Sequence, residues 1–317
     1  MTAYIGRRLL QMIPMMLGIS LVLFAIIQAT PGGPEAALLG TGRAVDPQAL
    51  AAYRHRLGVD EPVPVQYVRW LTAALSGDLG ESFQTGRPVS QMILERLPAT
   101  LELMGAAFLI AVLAALVLGI FSAVRQYSAF DFLGTGFSFL GIAMPVFWFA
   151  LILQLVFGVW LGWLPISGRE TVGAATLADH LKHLILPASV LSLRYIAGWS
   201  RYLRSSLLGA LRADYVRTAR AKGLPERTVV GVHAVRNALI PVVSVMALNL
   251  ADIFSGAVIT ETVFAWPGIG RMFVTAMYAR DYNLLMGILL MGSLMVLVFN
   301  LVADIVYGLL DPRIRYE

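Results

Sequence analysis

The chain contains apolar runs with few or no charged residues, each long enough to cross a bilayer as a helix. Inside a membrane every backbone N–H and C=O group needs a partner within the protein, so such runs fold as helices. We place the runs at residues 9–34, 101–124, 132–160, 184–202, 238–263 and 284–310. The sequence therefore predicts an all-α membrane protein with six transmembrane helices and both termini on one side.

The composition supports this class and argues against several others. Apolar residues make up 58% of the 317 residues and charged residues 14%, which is far from the balance of a soluble domain. Residues 201–236 hold eight basic and two acidic residues, a net charge of +6, whereas the whole chain carries +5. The basicity is therefore local and is no argument for nucleic-acid binding. The chain has no cysteine, which excludes disulfides and thiolate chemistry.

Basic residues in the short loops predict the orientation. One side of the predicted bundle carries Arg7, Arg8, Arg125, the cluster at 201–236, Arg313 and Arg315. The other side carries only Arg169, Lys182, Arg271 and Arg280. By the positive-inside rule the richer side is cytoplasmic, so both termini are expected there.

This orientation divides the chain into three predicted parts. Residues 1–31 form the N-terminus and first span, and residues 32–98 form an extracytoplasmic insertion with apolar residues at helical spacing as its core. Residues 99–317 form the core of spans two to six, with a cytoplasmic loop at 203–236. In the third span, Pro145 is expected to produce a kink, and Gly134, Gly136 and Gly141 are expected to allow close helix contacts.

The basic stretch at 214–243 predicts a helix, a tight turn and a second helix. Apolar residues that include Leu207, Tyr215 and Ala219 recur on one helical stripe, Gly223 stands where a left-handed C-terminal cap belongs, and Pro225 can start a new helix. Three interpretations are open: an ordinary basic loop, a helix-turn-helix reader of nucleic acid, or a docking helix for a cytoplasmic partner.

Five motifs resemble the permeases of the peptide and nickel class of ABC importers. They are YVRTARAKGL at 215–224, HAVRNALIP at 233–241, ETVFAWPGIG at 261–270, RDY at 280–282, and the tail from NLVAD at 300–304 to DPRIRY at 311–316. The general importer pattern begins Glu-Ala-Ala, whereas this chain has Arg217, Thr218 and Ala219. Only Ala219 and Gly223 match it directly, and this variant is usual in the peptide subgroup.

The resemblance implies a type I ABC importer permease in a bacterial or archaeal plasma (inner) membrane. Its expected cargo is dipeptides or oligopeptides, with a nickel chelate, glutathione or a sugar as alternatives; a passive channel is an alternative of a different class. The expected partners are the lipid bilayer, a second homologous permease, two ATPase subunits and an extracytoplasmic binding protein, with no nucleic acid. The chain itself is expected to bind no cofactor, while ATP and Mg²⁺ bind to the ATPase subunits.

The resemblance also assigns an ATPase-coupling site within the cytoplasmic loop. Its residues are Tyr215, Arg217, Ala219, Arg220, Lys222, Gly223 and Leu224. We expect the apolar side of this helix, with Ala219, to enter a groove on an ATPase subunit, while the basic residues meet acidic residues at its rim.

Two further sets of residues are candidates for the transport path. Arg194 and Asp252 lie inside predicted spans, where charge is costly, so they either line a path for a zwitterionic solute or form a structural pair. At the outer end of span five, ordinary interface aromatics are one interpretation, and a loop beside the substrate entrance is the other. The candidates for this outer gate are Glu261, Phe264, Trp266, Pro267 and Gly268.

The sequence contains no pattern typical of an enzyme. There is no G-x-x-x-x-G-K-[ST] loop for a nucleotide, and His233 with Asn237 has no serine nucleophile nearby. His180 and His183 provide too few ligands for a metal site. We therefore predict a transport subunit without catalytic or metal-binding residues.

Overall fold

The computed structural model of the protein describes residues 2–29, 61–174 and 176–310. These residues are predominantly helical, and their one bridge of β type joins Glu81 and Pro88. The helices are α1 Thr2–Gln28, α2 Val63–Leu75, α3 Val89–Val124, α4 Ala129–Ala143, α5 Val146–Leu153, α6 Leu177–Leu211, α7 Asp214–Ala221, α8 Glu226–Thr228, α9 Arg236–Leu248, α10 Leu250–Val263, α11 Ile269–Ala279 and α12 Tyr282–Leu310. Two π-helical segments, π1 Gln154–Trp160 and π2 Val229–Val235, continue α5 and α8. The all-α prediction is confirmed.

Four apolar helices in the described part of the chain are long enough to cross a membrane, and one bent pair adds a fifth. The four are Tyr4–Gln28, Val89–Val124, Glu226–Leu248 and Tyr282–Gly308. The predicted fourth span lies in α6, which has 35 residues but is not among these apolar helices. Many α6 residues are buried in the chain, including Ser192, Ser200 and Trp199, so this helix needs less lipid-facing apolar surface.

The predicted third span is sharply bent at Pro145. The α4 helix ends at Ala143, Pro145 is the N-cap residue of α5, and the helix direction bends by 112° between Ala129–Ala143 and Val146–Trp160. Proline cannot donate the N–H that a continuous helix would use, and it favours an extended residue before it. Met144 has that extended conformation, with φ −81° and ψ 126°. The kink expected at Pro145 is confirmed.

The predicted fifth span begins earlier in the structure. Helices α8, π2 and α9 follow one another without a break from Glu226 to Leu248, and α10 continues to Val263 after the single turn residue Asn249. Asn249 keeps right-handed helical angles, with φ −77° and ψ −4°, and its N–H donates to Val245 O at 3.0 Å. The predicted end at residue 263 is therefore confirmed, and the predicted start at 238 is wrong. The side chain of Asn249 makes two hydrogen bonds. Its Oδ1 accepts from Trp199 Nε1 at 2.9 Å, and its Nδ2 donates to Asp252.

The described chain divides into two compact units. One contains residues 100–266 and 298–310, and the other contains residues 2–29, 61–99 and 267–297. The described residues of the predicted insertion therefore group with α1 and with residues 267–297 rather than standing alone. Residues 30–60, which include most of the first half of the insertion, and the C-terminal tail from 311 lie outside the described residues.

In the first unit, α6 packs against α4 and α9. Gly141 permits close contact with α6, because a Cβ atom there would lie 3.2 Å from both Leu193 Cγ and Ala197 Cβ. A Cβ atom on Gly134 would lie 3.2 Å from Ser122 Oγ, whereas one on Gly136 would meet nothing within 4 Å. The prediction of close contacts is therefore confirmed for Gly134 and Gly141 and is wrong for Gly136.

The second unit has its own apolar core. Its buried members are Val89, Ile93, Ile269, Ala276, Leu284 and Ile288. Gly287 of α12 lies against α3, since a Cβ atom there would be 2.5 Å from Val89 Cγ1. Helix α2 contains no buried residue and instead meets α1 through Tyr67, whose ring centroid is 5.4 Å from that of Phe24. The α2 residues that were expected to form a core of the insertion do not form one.

Candidate functional site

The candidate coupling site is the short helix α7 and the turn that ends it. Gly223 follows the helix with φ +75°, a left-handed conformation that glycine adopts without a Cβ clash. Its N–H donates to Arg220 O at 2.9 Å, and the Leu224 N–H donates to Ala219 O at 3.4 Å. These two bonds form a Schellman motif, which satisfies carbonyls at the end of the helix. The predicted left-handed cap at Gly223 is confirmed.

The two faces of α7 have different neighbours. Val216 is fully buried and Ala219 is 6% exposed, and α7 contacts π2, whose Val229 and Ala234 are also buried. Arg217 and Lys222 are exposed on the opposite face. The expectation that Ala219 enters a groove on a partner is wrong for this conformation, because the chain already covers that side chain.

The exposed face of α7 combines an aromatic ring, an apolar side chain and several cations. Tyr215 is 43% exposed and Leu224 38% exposed. Arg220 donates to Glu226 Oε1 at 2.7 Å, and this hydrogen bond raises the pKa of Arg220. Arg217 donates to Asp214 at 3.0 Å. Both ion pairs are exposed, so each contributes little to stability and can exchange its partner at low cost.

A largely buried ion pair joins α6 to α4. Arg204 of α6 donates two hydrogen bonds to Asp131 at the start of α4, Nε to Oδ1 and Nη2 to Oδ2, both at 2.7 Å. Asp131 is 3% exposed and also accepts from the Tyr127 N–H. The sequence did not predict this pair, because Arg204 and Asp131 lie 73 residues apart and helical spacing relates only nearby residues.

The two candidates for the transport path, Arg194 and Asp252, are exposed in the chain. Asp252 accepts a hydrogen bond from Asn249 Nδ2 at 3.1 Å. The two residues form no ion pair with each other in the described structure, so the alternative of a structural pair between them is wrong. Their exposure leaves both side chains accessible to solvent, lipid, a solute or another subunit.

The outer gate candidates fall into two groups. Glu261, Phe264 and Trp266 are buried, with exposed fractions of 0%, 1% and 0%. The two aromatic residues are therefore not ordinary interface aromatics. Glu261 Oε1 accepts from Thr100 Oγ1 at 2.7 Å. Ala265 turns the chain with φ +51°, a left-handed conformation that is strained for a residue with a Cβ atom.

This corner anchors the loop between α5 and α6. Phe264 O accepts from the Gly168 N–H at 2.8 Å, and Val263 O accepts from Gln154 Nε2 at 3.2 Å. Glu102 then joins the loop to α3, since it accepts from Arg169 Nη2 at 2.6 Å and contacts His180 Nε2. The sequence did not predict this network. The one feature of the sequence that pointed to it was the acidic residue Glu102 at the start of the predicted second span.

Pro267 and Gly268 belong to the second unit, whose last segment is 267–297, and they line a cavity of about 310 Å³. Gly268 is extended, with φ −98° and ψ −175°, and it is the N-cap residue of α11. No group of three or more His, Cys, Asp or Glu residues is placed to hold a metal ion in the part of the chain that the structure describes.

Comparisons with known proteins identify the family. The family described as the binding-protein-dependent transport system inner membrane component matches residues 115–316, and its N-terminal counterpart matches residues 1–104. The oligopeptide transport system permease protein AppB of Bacillus subtilis is 42% identical, with full coverage of both chains. The di/tripeptide transport system permease protein DppB of Pseudomonas aeruginosa is 44% identical, again with full coverage.

A solved structure supports the fold. The crystal structure of an amino acid ABC transporter with histidines aligns with a TM-score of 0.55 and 13% identity, covering 69% of this chain and 94% of that chain. This likeness supports the helical fold. The chain belongs to the family of inner membrane components of binding-protein-dependent transport systems.

Proposed function

We propose that the chain is one permease subunit of an ATP-driven importer of dipeptides or oligopeptides. Its partners are a second homologous permease, two ATPase subunits and an extracytoplasmic binding protein. ATP and Mg²⁺ bind to the ATPase subunits, because this chain has no phosphate-binding loop. Both termini and α7 face the cytoplasm, and the insertion faces outward. The proposed cargo rests on the sequence identity of 42% and 44%, over the full length, to two peptide permeases.

The geometry of α7 supports ATP-driven transport over passive conduction. A coupling element must be stiff, connected to the spans and exposed on one face. Helix α7 meets these needs: it packs on π2, it is closed by the Schellman turn at Gly223, and it exposes Tyr215 and its basic residues. A passive channel needs no such element.

In the proposed cycle the ATPase dimer closes on ATP and moves α7 together with π2. Because π2 continues into α9, this motion reaches the span Glu226–Leu248 directly. The transport path between the permease subunits then opens outward, and ATP hydrolysis returns it to the starting conformation. ATP thus shifts the populations of two conformations. Arg194 and Asp252 are the proposed contacts for the two charges of a zwitterionic peptide. The Glu261–Gly268 corner is the proposed border of the outer entrance.

The test is uptake by the complete complex in proteoliposomes. A labelled dipeptide should accumulate only with ATP inside and binding protein outside. Arg194→Gln and Asp252→Asn should each reduce uptake while the ATPase subunits remain attached. Equilibration of the peptide without ATP would instead identify a channel.

The cargo requires a separate experiment, because nickel-chelate, glutathione and sugar importers have permeases with the same motifs. We propose purifying the native complex and identifying the small molecule on its binding protein by mass spectrometry. A di- or tripeptide is the expected result. A chelated metal, glutathione or a sugar would replace the peptide assignment and leave the transport mechanism in place.

A further inference from the structure

Helix α2 of the predicted insertion packs against the second half of α1, within the same compact unit. Gln28 Nε2 donates to Gln66 Oε1 at 2.8 Å, and the hydroxyl oxygens of Ser20 and Tyr67 lie 2.9 Å apart. Ser20 comes eight residues before Gln28, which is about 12 Å along a helix. The contacts of α2 therefore extend along α1 for more than two helical turns.

The depth of these contacts in a bilayer follows from the length of α1. Arg8 is the last charged residue before its apolar run, and Gln28 follows twenty residues later, about 30 Å along the helix. This length equals the thickness of the hydrocarbon core, so Gln28 marks the hydrocarbon boundary on the side of α2. Ser20 lies inside the hydrocarbon, and the side chain of Tyr67 reaches it from α2.

The side chains that join α2 to α1 are typical of this boundary. Ser20 is 1% exposed, and its hydroxyl donates to Leu17 O at 2.8 Å and meets the Tyr67 hydroxyl, so the polar groups at this depth are paired. The ring centroid of Phe24 lies 5.4 Å from that of Tyr67 and 6.0 Å from that of Trp70. Tyr and Trp are enriched where hydrocarbon meets water.

The opposite face of α2 is apolar and exposed. Its members, spaced by three and four residues, are Val65, Val68, Thr72 and Leu75. Val68 is 58% exposed and Leu75 is 78% exposed. The single charged residue in α2 is Arg69, beside this stripe, and it is paired with Glu61. A surface helix in water carries polar and charged residues on its outer face, so this stripe indicates a neighbour other than water.

We propose that α2 is an interfacial helix, embedded in the membrane leaflet at the C-terminal end of α1, and that its exposed stripe contacts lipid acyl chains. Lipid fits the stripe better than a protein does, because protein interfaces are enriched in aromatic residues and arginine. The stripe has neither, and Tyr67 and Trp70 point toward Phe24 of α1. The described part of the insertion is then attached to the membrane through α2. The inference needs α1 to span the membrane and does not depend on the cargo or the orientation.

The test measures the surroundings of the stripe with spin labels. Because the chain has no cysteine, Val68→Cys and Leu75→Cys each provide one site for a nitroxide. The labelled chain is studied in the complete complex in lipid nanodiscs, with partner subunits freed of cysteine. Oxygen concentrates in the bilayer and a nickel chelate stays in water, so the ratio of their effects on nitroxide relaxation distinguishes lipid from water. Both sites should show the ratio of Leu21→Cys, an exposed position on α1.

The matched control in water is Thr85→Cys, an exposed position of the same unit outside the apolar runs. Its oxygen-to-nickel ratio should be several-fold lower than that of Val68→Cys. Equal ratios at Thr85→Cys and Val68→Cys would place α2 in water and overturn the inference. Protection of Val68→Cys from both reagents would show that a protein, such as a second permease, covers the stripe, and this would also overturn it. Neither result bears on peptide uptake, which tests the proposed function separately.

A second measurement introduces a charge into the stripe. Val68→Asp places a carboxylate among the proposed lipid contacts, where charge is costly, whereas Val68→Leu keeps the position apolar. With the label at Leu75→Cys, Val68→Asp should shift the oxygen-to-nickel ratio toward that of Thr85→Cys, and Val68→Leu should leave it unchanged. The same ratio in both variants would contradict the embedding of α2 in lipid.

Discussion

At the scale of single residues, left-handed backbone positions mark turns at both candidate sites and before α12. Gly223 adopts this conformation at the turn after α7, whereas Ala265 and Arg280 adopt it in the ETVFAWPGIG segment and before α12, each with a Cβ atom. A Cβ atom at Gly223 would meet nothing within 4 Å, so any cost of a side chain there comes from the backbone alone. This separates conformational strain from packing.

Gly223→Ala should therefore destabilise the turn by roughly 1–2 kcal/mol, the cost of a left-handed conformation for a residue with a Cβ atom. We expect lower ATP-driven uptake with normal insertion into the membrane, measured in proteoliposomes and by membrane fractionation. Gly209→Ala is the control, since Gly209 lies within α6 and also has open space around it. Normal uptake by Gly223→Ala would remove the turn from the coupling mechanism.

The Asp131–Arg204 pair leads to a second prediction at this scale. Asp131→Ala leaves a largely buried guanidinium without its carboxylate, and loss of one partner of a buried pair costs roughly 3–5 kcal/mol. Because the Arg204 side chain is 27% exposed, we expect the lower end of this range. Thermal unfolding in detergent should show a clear drop. Glu226→Ala, which breaks the exposed pair with Arg220, should unfold as the wild type does.

At the scale of elements, α7 has one face committed to its own chain and one face exposed. Hydrophobic periodicity placed Ala219 on the buried side correctly, but it placed Tyr215 there as well, and Tyr215 is 43% exposed. Val216 and Ala219 pack inside the chain, so the face that remains for an ATPase subunit carries Tyr215, Arg217 and Lys222. We therefore expect a glutamate substitution to cause a different defect on each of the two faces.

Ala219→Glu should reduce the yield and thermal stability of the folded chain, because it forces an unpaired charge into a packed site. Thr218→Glu, one residue away on the exposed face, should leave the chain folded and instead weaken its association with the ATPase subunits. Size-exclusion chromatography and co-purification separate the two outcomes. A stable Ala219→Glu chain that loses only its ATPase subunits would restore the original docking model.

At the scale of the whole molecule, the proposed orientation can be tested because the chain has no cysteine. Thr85→Cys lies in the part proposed to face outward and Thr218→Cys on α7, and both side chains are exposed. In right-side-out vesicles a membrane-impermeant maleimide should label Thr85→Cys directly and Thr218→Cys only after permeabilisation. The reverse pattern would invert the proposed topology.

Much of this molecule could be predicted from sequence, because the strongest signals are local. A long apolar run must be helical in a bilayer, Pro145 cannot continue an α-helix without losing a hydrogen bond, and Gly223 can adopt positive φ at little cost. Each of these constraints acts within a few residues. The sequence motifs likewise identified the family, since the coupling loop and the ETVFAWPGIG segment are contiguous.

The tertiary structure decided what each surface faces. Periodicity indicates that one side of a helix is apolar, but only packing determines that Ala219 is covered by the chain itself and that Trp266 is buried rather than exposed. Pairing is also nonlocal: Arg204 meets Asp131 across 73 residues, and Asp281 contacts the Ser82 loop across 199. Such contacts depend on how the helices are assembled, because sequence spacing limits the distance between residues only when they are close along the chain.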